Sequence, residues 1–441
     1  MIGLKTFSPG GVHLYERKSR SQDSEIWNAA VPGECIVALQ QHAGKPAECL
    51  VEIGEQVVEG QLIGRAPARV SAHVHSPIPG VVEDLREVYL PHGAPSRAVV
   101  IRLEGEFDRL GKLREPTDRR AKSRKKLLEL VRRNGVVGMG GEVFPTHVKY
   151  SVPQGKTCDW LILNGVESEP YLTADHRLML ELTDHILEGL EIARTILEPR
   201  RVAVGIEHNN SEVANKFKRR IKELGLDTEV FALESKYPQG GEKQLIHAIT
   251  GREVPSGGSP VDVGCVVSNA GTINAVYEAA AYDKPVIERV VCVSGGAVRE
   301  PGNLKARIGS TFGNLIEECG GFSEIPKKIV AGGPMTGFAV YDLDTPLTKG
   351  VSGILALTAR ELNEAPRTAC INCGRCVASC PVGLQPTVLF KYVDHEDYTS
   401  ASAMGLGDCI ECGACSYVCP AHIPLVQGMR IGKRMVRRNK G

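Results

Sequence analysis

The sequence lacks any apolar run long enough to cross a bilayer. Stretches such as Ile101–Leu103 and Val290–Val293 fall far below the roughly 18 residues that a spanning helix needs. It also lacks an excess of either charge. The 53 Lys and Arg face 52 Asp and Glu, so no global field draws the chain to nucleic acid. Its start, Met1 to Thr6, has none of the apolar stretch of a signal peptide. These absences predict a cytosolic chain. A composition with 42% hydrophobic and 24% charged residues excludes a disordered or collagen-like protein. The 441 residues predict two to four domains, because single cores seldom grow past about 250–300 residues. What stands out is cysteine, since disulfides rarely persist in a reducing compartment. There are 14, and 8 of them fall between Cys370 and Cys419.

The first hundred residues read as all-β. Cys35–Leu39, Cys49–Ile53, Val57–Ile63, Val81–Leu85 and Ala98–Leu103 are short β-branched runs between glycine and proline turns. The phrases at Glu52–Ile63 and Ser76–Val82 resemble the barrel-sandwich hybrid of lipoyl and biotinyl domains. Those domains carry their cofactor on a lysine in the hairpin joining the two halves. Here Gly64–Pro79 holds Arg65 and Arg69 but no lysine, so the module is expected to be structural. A charged stretch follows, with Arg119, Arg120, Lys122, Arg124, Lys125 and Lys126 close together. It reads as a solvated connection entering a helix over 123–134. Phe107 is its only aromatic, which leaves no stacking platform for nucleic acid.

From Gly135 the pattern alternates. Asp159–Asn164, Arg201–Ile206 and Glu229–Leu233 read as strands, and Thr183–Leu197 and Ser211–Leu224 as amphipathic helices. The second helix is expected to open on Ser211 as N-cap and to close on Gly225. Such alternation predicts a mainly parallel sheet covered by helices. Residues 290–357 return to β-rich text with one helix near Thr311–Cys319, and the polar Ala359–Arg367 leads into the cysteines.

Cys370, Cys373, Cys376 and Cys380-Pro381 have the spacing C-x2-C-x2-C-x3-C-P, and Cys409, Cys412, Cys415 and Cys419-Pro420 repeat it. Three thiolates on a tight loop hold three corners of a cubane, and Gly374 and Gly413 let the backbone wrap it closely. Structural zinc instead uses two ligand pairs separated by a finger. Two such runs resemble a bacterial ferredoxin domain with two [4Fe–4S] clusters. In that pattern Cys370, Cys373 and Cys376 share one cluster with Cys419, and Cys409, Cys412 and Cys415 share the other with Cys380. The remaining cysteines, Cys35, Cys49, Cys158, Cys265, Cys292 and Cys319, sit singly in apolar text and read as buried thiols. His73 and His75 would share one strand face, without a cysteine or carboxylate nearby to complete a metal site.

Gly135 to Lys149 is glycine-rich, which lets main-chain amides approach a phosphate or a flavin edge. Asn164 to Pro170 follows a strand, at the sheet edge where α/β proteins bind ligands. Thr272 and Asn274 open a helix, a place that favours anions. Together these words resemble the flavin-binding subunit of respiratory complex I, which carries FMN and binds NADH. The matching residues are Gly138, Gly140, Gly141, Phe144, Pro145, Thr146 and Lys149, then Asn164, Glu167, Ser168, Glu169 and Pro170, then Thr272 and Asn274. A weaker match runs through Tyr237, Gly240 and Glu242. Met139, Glu142, Val143 and Gly241 depart from that family's pattern.

The order of modules, with Gly10-Gly11-Val12-His13 near the start, resembles the RnfC family of the Rnf electron-transport complexes over nearly the whole chain. The resemblance implies a multidomain α/β protein. Residues 1–104 would be a barrel-sandwich-hybrid-like β domain and 105–134 a charged linker and helix. Residues 135–286 would be a Rossmann-like domain for FMN and NAD(H), 287–358 a β-grasp-like ligand-binding segment, and 359–441 a helical ferredoxin domain with a basic tail. It implies electron exchange between NAD(H), non-covalent FMN, two [4Fe–4S] clusters and, indirectly, ferredoxin, coupled to Na+ or H+ transport. The implied partners are integral membrane subunits and an iron–sulfur subunit, with this chain peripheral on the cytoplasmic side of the inner membrane. No general acid or base is expected, because the chemistry belongs to the cofactors. The carboxylates are expected to position nicotinamide and ribose. Two alternatives are a soluble NADH-dependent cobalamin reductase, which would reduce its acceptor without partners, and a non-enzymatic electron wire, which would hold no flavin. From Ala421 to Gly441 the tail holds Arg430, Lys433, Arg434, Arg437, Arg438 and Lys440 and no Asp or Glu. They read either as solvated or as docking on an acidic partner or anionic lipid.

Overall fold

A computed structural model describes residues 4–107, 116–118 and 122–438. Arg119 and Arg120 of the charged stretch and Lys440 of the tail lie outside the described residues. None of the helices formed by the described residues is long and apolar enough to cross a membrane.

The strand β1 (Ile26–Asn28) stands apart from the barrel and joins a later sheet. The barrel itself is built from β2 (Glu34–Ala38), β3 (Glu48–Cys49), β4 (Gln56–Val57), β5 (Leu62–Arg65), β6 (Val74–His75), β7 (Gly80–Tyr89) and β8 (Pro95–Leu103). They form two antiparallel sheets, β2-β8-β7-β4 and β3-β5-β6. Alternation along the strands buries Cys35, Val37, Val57, Ile63, Val82, Val99 and Ile101 between them.

The α/β unit begins with α1 (Arg124–Arg133), whose N-cap Ser123 accepts from the Lys126 amide. It continues through α2 (Thr146–Lys149), β9 (Trp160–Gly165), α3 (Ala174–Glu181), α4 (Thr183–Leu197) and β10 (Arg201–Glu207). Then come α5 (Ser211–Leu224), β11 (Glu229–Leu233), α6 (Glu242–Thr250), β12 (Cys265–Asn269) and α7 (Ala270–Tyr282). These strands are all parallel, in the order β11-β10-β9-β12. Chain order therefore reverses beside β9, and a ligand crevice is expected outside the carboxyl ends of β9 and β12. Asn164 and Asn269 are register partners there. One local expectation is corrected. The cap position of α5 is Asn210, not Ser211, and no side chain caps it, whereas Gly225 ends the helix at φ 62° as its lack of Cβ allows.

The next unit holds β13 (Glu288–Ser294), β14 (Gly302–Arg307), α8 (Phe312–Glu318), β15 (Lys328–Ala331), β16 (Phe338–Val340) and β17 (Gly353–Leu357). With β1 they form a six-stranded sheet, β1-β14-β13-β17-β15-β16. Phe312, Leu315 and Ile316 of α8 pack on Val291, Val293, Leu304 and Ile354. The cysteine domain is helical: α9 (Arg375–Ala378), α10 (Pro386–Asp394), α11 (Tyr398–Ala403), α12 (Ala414–Tyr417) and α13 (Leu425–Arg438). Leu389, Phe390, Val393, Leu406, Leu425 and Met429 form their core.

Two features tie the units together. The N-terminal strap bonds Gly11 to the Ser379 carbonyl at 3.0 Å and exchanges two 2.8 Å backbone bonds between Val12 and Tyr237. Gly10 has φ +69°, and a Cβ there would lie 2.4 Å from the Cys380 carbonyl oxygen, so glycine is required. The second feature is Lys349, buried to 1% exposure. Its Nζ donates to the carbonyls of His73 in the barrel at 2.9 Å and Gly135 in the α/β unit at 2.7 Å. His73 and His75 are both buried, their rings 6.4 Å apart. Among the described residues no third metal-binding side chain is grouped with them.

Burial alone pulls the Lys349 ammonium down to about 7. Between that value and the unfolded lysine pKa near 10.4, the unfolded chain binds more protons, so this group makes stability rise with pH. Lys349→Met leaves two buried carbonyls unpaired, at about 1–3 kcal/mol each. Thermal melts are expected to show a lower midpoint at pH 9 than the parent, with the gap narrowing toward pH 7. A gap that is constant with pH would contradict the assignment.

Candidate functional site

A cleft of about 460 Å3 opens at the predicted crevice. Its walls include Gly140, Lys149, Asn164, Glu167, Ser168, Glu169, Tyr237, Gly240 and Glu242. Nine residues predicted from three separate words of sequence are thus brought into one cavity. The glycine-rich loop forms its lip, closed by hydrogen bonds from Gly138 N to Phe144 O at 2.9 Å and from Val143 N to Gly138 O at 3.1 Å. Thr272 Oγ1 accepts from the Met139 amide at 2.8 Å, which anchors the loop to the start of α7. Asn269 caps α7 by accepting from the Thr272 amide and lines the cleft. The positive end of that helix dipole therefore faces the loop.

Lys149 lies 2.7 Å from Glu242 and 3.7 Å from Glu142. Burial works against its ammonium, yet the two carboxylates hold its pKa above the ordinary lysine value. Asn164 is held by backbone, donating to Gly240 O at 2.9 Å and accepting from Val166 N at 3.1 Å. Glu167 and Glu169 are also engaged. Glu167 accepts from the Asp175 and His176 amides at the start of α3. Glu169 accepts from the Met335 and Thr336 amides at 3.0 and 2.9 Å, in the turn between β15 and β16. Burial raises both carboxyls above their usual range, and Asp175 beside Glu167 adds to its shift.

Gly138, Gly141, Phe144, Thr272 and Asn274 do not line this cleft. Gly141 borders an adjoining cavity of about 590 Å3 shared with the barrel loops at Gln40–Ala43 and Leu90–His92. Asn274 faces a third cavity, where its Oδ1 is buried without a partner. Asn269, Asp175, Gln244 and Thr336 line the cleft without having been predicted. Asn269 was legible as a capping residue three positions before Thr272. The others arrive through tertiary contacts that carry no local pattern.

The cleft has room and polar groups for a flavin, among them an unpaired acceptor. Gln244 Oε1 lines it and is buried without a hydrogen-bond partner. At Gly140 a Cβ would already come within 3.3 Å of Asn269 Cβ. The far wall is the cysteine domain: Ile410 and Cys412 line the same cleft, and Tyr237 Oη donates to Cys412 O at 2.6 Å.

The cysteines fit cubane ligation. Cys380 shares an apolar pocket with Cys409, Cys412 and Cys415, closed by Leu384, Leu389, Val426 and Met429. Burial pushes the Cys412 and Cys415 thiols up to about 12, so a metal's charge is needed to hold them as thiolates. Asn372 N donates to Cys370 Sγ and Glu411 N to Cys409 Sγ, both at 3.4 Å, and Leu384 N to Cys380 Sγ at 3.3 Å. Gly374 and Gly413 adopt φ 72° and 79°. Of the six other cysteines, five are buried as expected, while Cys49 is only half-buried, on the short edge strand β3. Cys35, Cys158, Cys265, Cys292 and Cys319 are buried, and burial raises each thiol pKa.

A parallel α/β crevice sharing a wall with a two-motif cysteine domain defines a flavin and iron–sulfur electron-transfer protein. Residues 6–106 match the RnfC barrel sandwich hybrid domain, 131–278 the Nuo51 FMN-binding domain, 290–339 the SLBB domain and 369–423 the 4Fe-4S dicluster domain. The C component of the proton-translocating ferredoxin:NAD(+) oxidoreductase complex of Clostridium ljungdahlii is 44% identical over 388 residues, 88% of this chain and 84% of that protein. Its counterpart in the Na(+)-translocating ferredoxin:NAD(+) oxidoreductase complex of Acetobacterium woodii is 38% identical over 98% of both chains. The corresponding component of the ion-translocating oxidoreductase complex of Rhodobacter capsulatus is 39% identical, over 98% of this chain and 83% of that one. A chain of NAD+-reducing [NiFe]-hydrogenase in its H2-reduced state shares the fold over 73% of this chain and 62% of that one. Its TM-score is 0.51 at 16% identity. The chain belongs to the RnfC family, and its cofactors are FMN and two [4Fe–4S] clusters.

The shared pocket of Cys380 with the 409–415 loop yields a test of crossed ligation. Cys380→Ala is expected to perturb the cluster of the 409–415 loop as Cys415→Ala does, leaving the 370–376 loop's cluster comparatively intact. Cluster-resolved EPR of the anaerobically purified variants checks it. A Cys380→Ala spectrum that matches Cys376→Ala instead would mean that each motif closes its own cluster.

Proposed function

We propose that this chain is the peripheral NAD(H)-reacting subunit of an Rnf-type complex, working in ferredoxin:NAD+ oxidoreduction coupled to Na+ or H+ transport. Its proposed neighbours are integral membrane subunits and an iron–sulfur subunit, on the cytoplasmic side of the membrane. The observation that carries this reading is the shared wall: Cys412 belongs to a cluster motif and also lines the cleft. When bound, FMN supplies the exchange between a two-electron hydride donor and one-electron clusters. The chain's own residues bind, orient and insulate. Gly140 opens the main chain to the cofactor, Gly141 borders the adjoining cavity and Gly138 closes the loop on Phe144. The α7 N-terminus and Lys149 favour the cofactor's phosphate. Asn164, Ser168, Gly240 and Glu242 shape the cleft beside them, while Thr272 pins the loop and Phe144 closes it through its carbonyl.

Glu167 and Glu169 act in this reading mainly by fixing walls, since their oxygens already accept backbone amides. Each carboxylate keeps lone pairs for a ribose or amide. Tyr237 holds the cluster loop against the cleft through its hydroxyl. Asn274 is the outlying member of the proposed set, separated from the cleft in its own cavity. The match of residues 6–106 to the RnfC barrel domain supports this reading over a soluble cobalamin reductase, which shares the flavin and cluster modules without the leading barrel.

The test uses Gly140→Val in anaerobically purified protein. Its branched side chain runs into Asn269, so FMN is expected to be lost while both clusters remain. NADH should then reduce neither cluster, whereas dithionite should still reduce both. Normal flavin content, or cluster reduction by NADH without flavin, would sink the assignment of the cleft.

A further inference from the structure

The second cysteine motif repeats the first at an offset of 39 residues. Each position around one cluster therefore has a counterpart around the other, and several counterparts differ in charge. Asn372 corresponds to Glu411, Arg375 to Ala414 and Asp394 to Lys433, whereas Lys391 and its counterpart Arg430 are both cations. The backbone at the first pair is alike, with φ 53° at Asn372 and 57° at Glu411. What differs is how deeply the cations are buried, since Arg375 and Lys391 are exposed.

Around the 409–415 loop, Lys433 Nζ donates to the carbonyl of Cys409 at 2.9 Å and lies 2.6 Å from Glu411 Oε1. Arg430 reaches the other Glu411 oxygen at 3.6 Å and donates to Thr336 O at 2.7 Å. Its guanidinium lies 4.4 Å from the centre of the Phe338 ring. The Lys433 and Arg430 side chains are only 18% and 21% exposed. Two half-buried cations thus face Glu411, while the nearby Asp408 is turned to Ser256, whose hydroxyl donates to it at 2.7 Å. Around the 370–376 loop, Arg375 and Lys391 are exposed to solvent, Asn372 is neutral, and Asp394 points to Arg367 at 3.9 Å. Lys433 and Arg430 are consequently not part of a free basic tail. Arg434, Arg437 and Arg438 are exposed on α13.

A cation held close to a cluster favours its reduced, more negative form, and burial limits the screening of that attraction. We propose that Lys433, fixed by Glu411 and the Cys409 carbonyl, sets the flavin-side cluster at a higher reduction potential than its repeat-related partner. It does so by charge and position, without being a ligand. The proposal rests on the cluster reading above. It makes the cluster that shares a wall with the cleft the better electron acceptor of the two.

The test is an EPR-monitored redox titration of the anaerobically purified holoprotein. The flavin-side cluster is identified as the one whose signal changes in Cys380→Ser. Lys433→Gln is expected to shift that cluster to lower potential and leave the other unmoved, and Lys433→Arg should restore the parent value. Glu411→Gln removes the counter-charge and should shift the same cluster upward. Opposite shifts are the signature of charge, because loosened packing would not reverse sign. Unchanged midpoints, same-direction shifts in both variants, or equal movement of both clusters would overturn the proposal. Parent protein holding fewer than two clusters would instead overturn the function reading beneath it.

Discussion

The hydrogen bond from Tyr237 Oη to the carbonyl of Cys412 is the contact on which the rest of the architecture depends. A hydride donor delivers two electrons and a cluster takes one, so flavin cleft and cluster loop must be neighbours. Two domains that fold around separate cores gain nothing from proximity unless something fixes it. Tyr237 does so from a loop pinned on one side by Asn164 through Gly240 and on the other by Val12 of the N-terminal strap. The same strap passes over Cys380, the residue that the pocket groups with the 409–415 loop.

The turn between β15 and β16 is the second clamp. Glu169 holds the Met335 and Thr336 amides from the cleft side, and Arg430 holds the Thr336 carbonyl from the cysteine domain. At Gly413 a Cβ would come within 2.7 Å of the Met335 carbonyl oxygen, so only glycine lets the cluster loop sit this close. A carboxylate that sequence alone assigns to nicotinamide thus has a structural task too, spanning two domains.

Much of the site was legible in the sequence because it is local. The cysteine spacing, the glycine loop and Asn164 to Glu169 each occupy a few consecutive residues, and fixed spacing is what a cubane or a phosphate demands. Helix and strand limits such as Thr183–Leu197 followed from periodicity for the same reason. The remainder was hidden because it is long-range. Nothing near Lys349 announces that its ammonium will bond His73 and Gly135. Nothing near Ile26 says that β1 will pair with Gly302–Arg307 instead of with the barrel. The basic tail was legible only in part, because the sequence leaves Lys433 and Arg430 open to solvent or to docking, whereas the fold pairs both with Glu411.

The central claim is that the flavin cleft adjoins the cluster held by Cys380, Cys409, Cys412 and Cys415, and not the other. Magnetic relaxation of the flavin EPR signal in partly reduced holoprotein reads this adjacency directly. Fast relaxation is predicted in the parent protein and in Cys419→Ser, with slow relaxation in Cys380→Ser. The reverse pattern, or no enhancement in the parent, would contradict the account.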